Sequence, residues 1–244
     1  MSDWFEDWFN TKEYLEVYRH RNESEAKELV SIILNSIQIP ENGSVLDLAC
    51  GAGRHSIYFA QKGYDVTAVD LSQNLLLVAK EAALENKVNI EFIQSDIRYF
   101  SSGKKFDLIV NLFTSFGYFE TDSENFMLFE IVKKYLNNSG YFVLDYLNKT
   151  YVQNNLVKES TDMLGKGEII QKRFIEGNRV VKDIFINQNG SSKHYRESVR
   201  LYDDQELKAA ISDAGLRIEK VFGEFNGKGF EKDNSKRIII IASK

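Results

Sequence analysis

The feature that most constrains this chain is a repeated change of period between residues 44 and 146, where short β-branched runs alternate with longer amphipathic stretches. That alternation is the signature of βαβ units, and it predicts a parallel sheet with helices on its faces. Strands are expected at 44–48, 65–70, 90–94, 106–111 and 140–146. Between them, "LSQNLLLVAKEAALEN" has helical apolar spacing. "TDSENFMLFEIVKKYLNN" opens with Thr121 and Glu124 at capping-box spacing, and "NNSG" is the expected stop.

After residue 146 the pattern changes. "GEIIQKRFIEGNRVVKDIFINQNGSSKHYRESVRLY" predicts about three strands joined at "EGN" and "QNGSS", both good hairpin turns, so an antiparallel β-meander is expected over roughly 166–202. The α/β pattern resumes at "YDDQELKAAISDAG", with Asp203 and Glu206 at capping-box spacing and Gly215 where a C-cap belongs. Strands at 217–222 and 237–242 close the chain. The expected division is an N-terminal helical, aromatic lid over 1–40, a core over 41–148 and 203–244, and an inserted antiparallel β subdomain over 149–202.

Trp4, Phe5, Trp8 and Phe9 form an aromatic stripe of helical period, followed by Tyr14 and Tyr18. Two readings stay open for it: a face that docks the first helix on the core, or a lid whose rings line a substrate pocket.

Composition narrows the function classes. No apolar run approaches a membrane span, and the acidic, aromatic start is unlike a signal peptide, so a cytoplasmic protein with no membrane partner is expected. One cysteine (Cys50) and three scattered histidines (His20, His55, His194) exclude an internal disulfide and lack metal-ligand spacing. A net charge of -5 without a long basic run points away from nucleic acid and toward a small-molecule substrate. Nothing in the sequence fixes an oligomeric state.

In an open parallel sheet, ligands bind beyond the carboxyl ends of the strands. After the first strand, "VLDLACGAGRHS" offers Asp47, Gly51 and Gly53, glycines that let the backbone turn tightly against a ligand at a helix N-terminus. After the second comes Asp70, placed to accept from ribose hydroxyls, and after the third Asp96 and Ile97, placed for an adenine. Together they indicate a nucleoside cofactor. The dinucleotide fingerprint G-x-G-x-x-G fails at its last position, which is Ser56, and this weakens an NAD reading.

In this order the motifs resemble those of the class I S-adenosylmethionine-dependent methyltransferases, of the small-molecule type. "VLDLACGAG" is similar to their cofactor loop with Ala49 for the first glycine, "VTAVDLS" to their ribose-binding strand end, "SDIR" to their adenine-side motif and "LNNSGYFVLD" to their fifth-strand motif. The resemblance implies a Rossmann-like, doubly wound α/β sheet of seven strands, the last antiparallel, and S-adenosylmethionine as cofactor. It makes Asp47, Ala49, Gly51, Gly53, Asp70, Leu71, Asp96, Ile97 and Asn111 the candidate cofactor residues, with Tyr18 and Arg21 as N-terminal candidates. No role is implied for Asp145 or Tyr146.

The function so implied is methyl transfer to N or O of a small molecule by in-line displacement. If the acceptor arrives protonated, Tyr118 and His20 are the candidate catalytic groups. Phe113 and Phe116, in the apolar "NLFTSFGYF", serve equally as core or as substrate wall. An NAD-dependent oxidoreductase, or a nucleoside-binding module without transfer activity, are the alternatives. Cys50, between glycine and alanine in the turn, reads as packing and not as a nucleophile.

Overall fold

A computed structural model describes residues 4–19, 23–165, 167–188 and 190–244. Three helices, α1 (Trp4–Phe9), α2 (Lys12–Val17) and α3 (Glu23–Ser36), precede the first strand. There follow β1 (Ser44–Leu48), α4 (Arg54–Gln61), β2 (Asp65–Asp70), α5 (Gln73–Glu85), β3 (Glu91–Gln94), a 3-10 turn (Ile97–Tyr99), β4 (Phe106–Asn111), α6 (Asp122–Tyr135) and β5 (Leu136–Leu147). The chain then runs through α7 (Lys149–Asn155) and the strands β6 (Glu159–Leu164), β7 (Gly167–Glu176), β8 (Arg179–Gln188) and β9 (Ser191–Arg200). It ends with α8 (Asp204–Asp213), β10 (Arg217–Phe222) and β11 (Arg237–Ser243).

The large sheet has seven strands in the order β10-β11-β5-β4-β1-β2-β3. β11 runs antiparallel to both its neighbours, as expected, while β1 to β5 are parallel. Both faces are covered, and the pleat sorts side chains between them. Along β11, Ile238, Ile240 and Ala242 join the layer that holds Phe129, Tyr202 and Leu207, while Ile239 and Ile241 join the layer with Leu29, Ile33 and Phe59. The chain winds outward from β1 to β3 in one direction and from β4 to β5 in the other, so the strand order reverses between β1 and β4. That is where such a sheet opens a crevice at its carboxyl edge.

The second sheet is an antiparallel meander, β6-β7-β8-β9. It has four strands where about three were expected. The added one, β6, lies at an edge and exposes most of its residues, so it carries no apolar alternation to read. The fifth strand also starts earlier than expected: "NNSG" does not end α6 in a free loop but lies within β5, where the register against β4 slips between Phe106 and Leu108. Trp8 and Val17 pack on Ile169, Ile184 and Ile186 of the meander, so the N-terminal aromatic face docks on the inserted sheet and not on the large one. Among the described residues, no helix is long and apolar enough to cross a membrane.

Candidate active site

The residues that follow β1 fold into a turn with three left-handed backbones, Ala49 (φ 60), Gly51 (φ 57) and Gly53 (φ 78). Glycine adopts this conformation freely; Ala49 adopts it at a cost of roughly 1–2 kcal/mol. The strain at Ala49 is held by pairing just after it: Cys50 N–H donates to the Val69 carbonyl (3.0 Å) and Gly53 N–H to the Cys50 carbonyl (3.1 Å). A side chain at Gly53 would strike Ala79 Cβ at 2.9 Å, so helix α5 can approach only because a glycine stands there. At Gly51 a side chain would meet nothing within 4 Å. It would enter a cavity of about 280 Å³ at the carboxyl edge of the sheet.

Three carboxylates stand along this edge. Asp47 is buried, receives the Ser56 hydroxyl at 2.5 Å and, through burial above all and then the nearby Asp70 charge, is pushed up to about 7. The serine in place of the dinucleotide glycine thus orients the first carboxylate. Asp70 accepts from Gly51 N–H (2.7 Å) and Ser72 N–H (2.8 Å), which oppose the upward push of its burial. Asp96 caps the 3-10 turn and is clasped by the Arg98 guanidinium at 2.6 Å.

Asp47, Ala49, Gly51, Asp70, Leu71, Asp96, Ile97, Tyr18 and Tyr118 all line the cavity. Gly53 and Asn111 do not. Gly53 stands behind the turn as the N-cap of α4. Asn111 spends its amide N–H groups on the Leu48 (2.9 Å) and Ser115 (3.2 Å) carbonyls, tying the loop after β4 to the end of β1. Its side-chain oxygen is buried without a partner. His20 and Arg21 lie outside the described residues. His194 sits on β9, exposed, paired with Asp183 (3.0 Å) and stacked on Phe185. Cys50 packs against Ala68 and Leu76, and burial holds its thiol well above the range in which a thiolate forms.

Arg54 was not among the residues singled out from sequence. Arg54 and His55 follow the glycine turn on α4, and both border the cavity. Phe5, Phe9 and Tyr14 reach it from the N-terminal helices. The stripe divides between two neighbours: Trp8 docks on the meander, while Phe5 and Phe9 line the cavity. Period alone separates the two faces of α1 but does not say what each face meets.

Tyr18 is fixed by the meander. Its hydroxyl donates to Glu197 (2.6 Å), which also receives Trp8 Nε1 (2.7 Å) and Lys182 Nζ (2.7 Å). Lys182 holds the buried Glu197 carboxylate below its ordinary range against the opposing effect of burial. The loop after β4 is likewise gripped from β8, where Arg179 donates to the carbonyls of Gly117 (3.2 Å), Tyr118 (3.2 Å) and Phe119 (3.1 Å). The Tyr118 ring meets Trp4, Phe5 and Phe9 at centroid separations of 5.4 to 6.2 Å.

The donor set fits S-adenosylmethionine: three carboxylates at successive strand ends, a backbone turn cleared of side chains, and an aromatic wall opposite. Residues 45–140 match the family model described as a methyltransferase domain. The chain is 25% identical over 217 residues to a dTDP-3-amino-3,4,6-trideoxy-alpha-D-glucopyranose N,N-dimethyltransferase of Streptomyces venezuelae, covering 84% of this chain and 88% of that one. A S-adenosylmethionine-dependent methyltransferase of Clostridium acetobutylicum superposes with a TM-score of 0.79 at 20% identity, over 95% of this chain and 97% of the other. An amino pentose methyltransferase of Micromonospora echinaspora, solved with S-adenosylmethionine bound, superposes with a TM-score of 0.69 at 17% identity, over 96% and 98%. With the strand-end carboxylates, the glycine turn and the antiparallel last strand, these likenesses support a class I S-adenosylmethionine-dependent methyltransferase.

Proposed function

We propose that the protein methylates an amine of a small molecule. The observation that carries this reading is the enclosure of the cavity's far end. Helix α1 and the loop after β4 cover it with aromatic rings, and the meander holds both coverings in place. That leaves a cavity of about 280 Å³, the scale of a small-ligand pocket. The relatives named as amino-sugar N,N-dimethyltransferases align over most of this chain, which supports nitrogen over oxygen as the acceptor atom.

When bound, S-adenosylmethionine supplies a methyl group on a sulfonium, an electrophile that asks only for an aligned nucleophile. The chain's own work is therefore binding, alignment and exclusion of water. Alignment of this kind can lower a barrier by roughly 7–11 kcal/mol. Gly51 would admit the methionine portion, with Asp47 toward its ammonium group. Asp70 would hold the ribose, and Asp96 and Ile97 would flank the adenine. Asp96, already clasped by Arg98, keeps fewer lone pairs than Asp70. Tyr118, with His20 as the second candidate, would take or orient the proton of an acceptor amine.

The experiment is transfer of a labelled methyl group from S-adenosylmethionine to a panel of small amines, alcohols and thiols, with amino sugars among the amines. Label on amines and not on matched alcohols is expected. Label on alcohols alone, or on none of the panel by a protein that binds the cofactor, contradicts the reading.

A further inference from the structure

The loop after β4 contains two consecutive residues with left-handed backbones, Phe113 (φ 59) and Thr114 (φ 65). Neither is glycine, and Thr114 is β-branched, the side-chain type least tolerant of this conformation. Such backbones persist only where their surroundings over-determine them. Here the surroundings are Asp145 on β5 and Arg237 on β11. Phe113 N–H donates to Asp145 Oδ2 (2.9 Å), and Thr114 N–H donates to the Asp145 carbonyl (3.1 Å). Arg237 donates Nε to Asp145 Oδ1 (2.5 Å) and Nη2 to Thr114 Oγ1 (2.8 Å). Its guanidinium also lies 5.5 Å from the Phe113 ring centroid.

Asp145 is fully buried, the Arg237 side chain is 15% exposed, and neither lines the cavity. Phe113 does line it, with the Arg54 guanidinium 4.9 Å from its ring. A buried ion pair is a weak source of stability, since well-packed apolar residues often serve as well. An apolar pair could not, however, receive the Phe113 N–H and donate to the Thr114 hydroxyl. We propose that Asp145 and Arg237 are positioning residues for methyl transfer, holding Phe113 and Thr114 left-handed so that the Phe113 ring forms the acceptor wall of the cavity.

Arg237→Lys tests this, because it keeps a charge for Asp145 while a single ammonium lacks the fork that also reaches Thr114. Three readouts apply: hydrogen exchange of the amides of 113 and 114, cofactor affinity by calorimetry, and kcat and KM for the acceptor. In Arg237→Lys the two amides should exchange at least about tenfold faster, since the fork that ties the Thr114 hydroxyl to Asp145 is lost and the loop opens more often. kcat should fall about tenfold to a hundredfold, as expected for a displaced positioning group, with cofactor affinity within about twofold of the parent. Adding Thr114→Gly should restore at least about threefold of kcat, because glycine takes the left-handed backbone without a clamp.

Unchanged exchange in Arg237→Lys overturns the proposal, as does a loss of kcat that Thr114→Gly leaves untouched, which marks a merely structural pair. The kinetic arm rests on the methyl-transfer reading and the exchange arm does not. A parent chain that binds no cofactor defeats the function, and the exchange of 113 and 114 then decides the clamp.

Discussion

At the residue scale, the glycine turn after β1 separates side chains that neighbour one another in sequence. Gly51 has a left-handed backbone and faces open cavity, whereas Cys50, beside it, packs into a small apolar cluster. Gly51→Val adds a β-branched side chain where φ is positive and the ligand needs room, so it should abolish most S-adenosylhomocysteine binding. Asp70→Ala removes the carboxylate that braces Gly51 N–H and should do the same. Cys50→Ala should bind within about threefold of the parent, a difference below 1 kcal/mol. Equilibrium titration of the three variants checks the set.

Asp47 supplies a pH signature. Burial raises its carboxyl from an ordinary 3.8 to about 7, so between these values the folded chain holds a proton that the unfolded chain has released. Stability from this group is therefore greatest at low pH and is lost as pH rises, at about 1.4 kcal/mol per pH unit. Asp47→Asn cannot titrate. Denaturant unfolding from pH 5 to 7 should show the parent losing stability relative to Asp47→Asn with rising pH; a parallel or opposite trend would refute the assignment.

At the scale of elements, the meander is a brace for the loop after β4. Arg179, on β8, carries three successive carbonyls of that loop and also meets Ser198 on β9 through Nε (2.7 Å) and Nη2 (2.9 Å). Arg179→Met leaves those carbonyls without their charged donor and should cost about 2–4 kcal/mol, given the value of hydrogen bonds to charged groups. Urea unfolding measures that loss. KM for the acceptor should rise more than the cofactor Kd, because Tyr118 and Phe119 lie on the braced segment.

What was legible in the sequence follows the same division. The glycine turn, Asp70 and Asp96 could be read because each sits within a few residues of a strand end that its own period marks. The grip on Phe113 and Thr114 could not, because its partners stand on β5 and β11, and Arg237 is 123 residues from Thr114. Asn111 was expected at the cofactor and instead ties two backbone segments together, a distinction set by side-chain direction and not by position. β6 escaped notice because an exposed edge strand has no apolar face to betray it.

At the scale of the whole molecule, two sheets divide the work. The large parallel sheet presents carboxylates and a cleared turn at its carboxyl edge, where the strand order reverses. The small antiparallel sheet holds the N-terminal helices and the β4 loop over that edge, through Glu197 on Trp8 and Tyr18 and through Arg179 on the loop. A change in the meander should alter the acceptor preference while leaving the cofactor end of the cavity intact.

We propose that the carboxyl edge of β1 to β4 holds S-adenosylmethionine. Isothermal titration of the folded protein with S-adenosylhomocysteine tests it most directly. One saturable site per chain is expected, lost in Asp70→Ala and retained in Cys50→Ala. No saturable binding by a folded parent protein, or binding undiminished by Asp70→Ala, would contradict it.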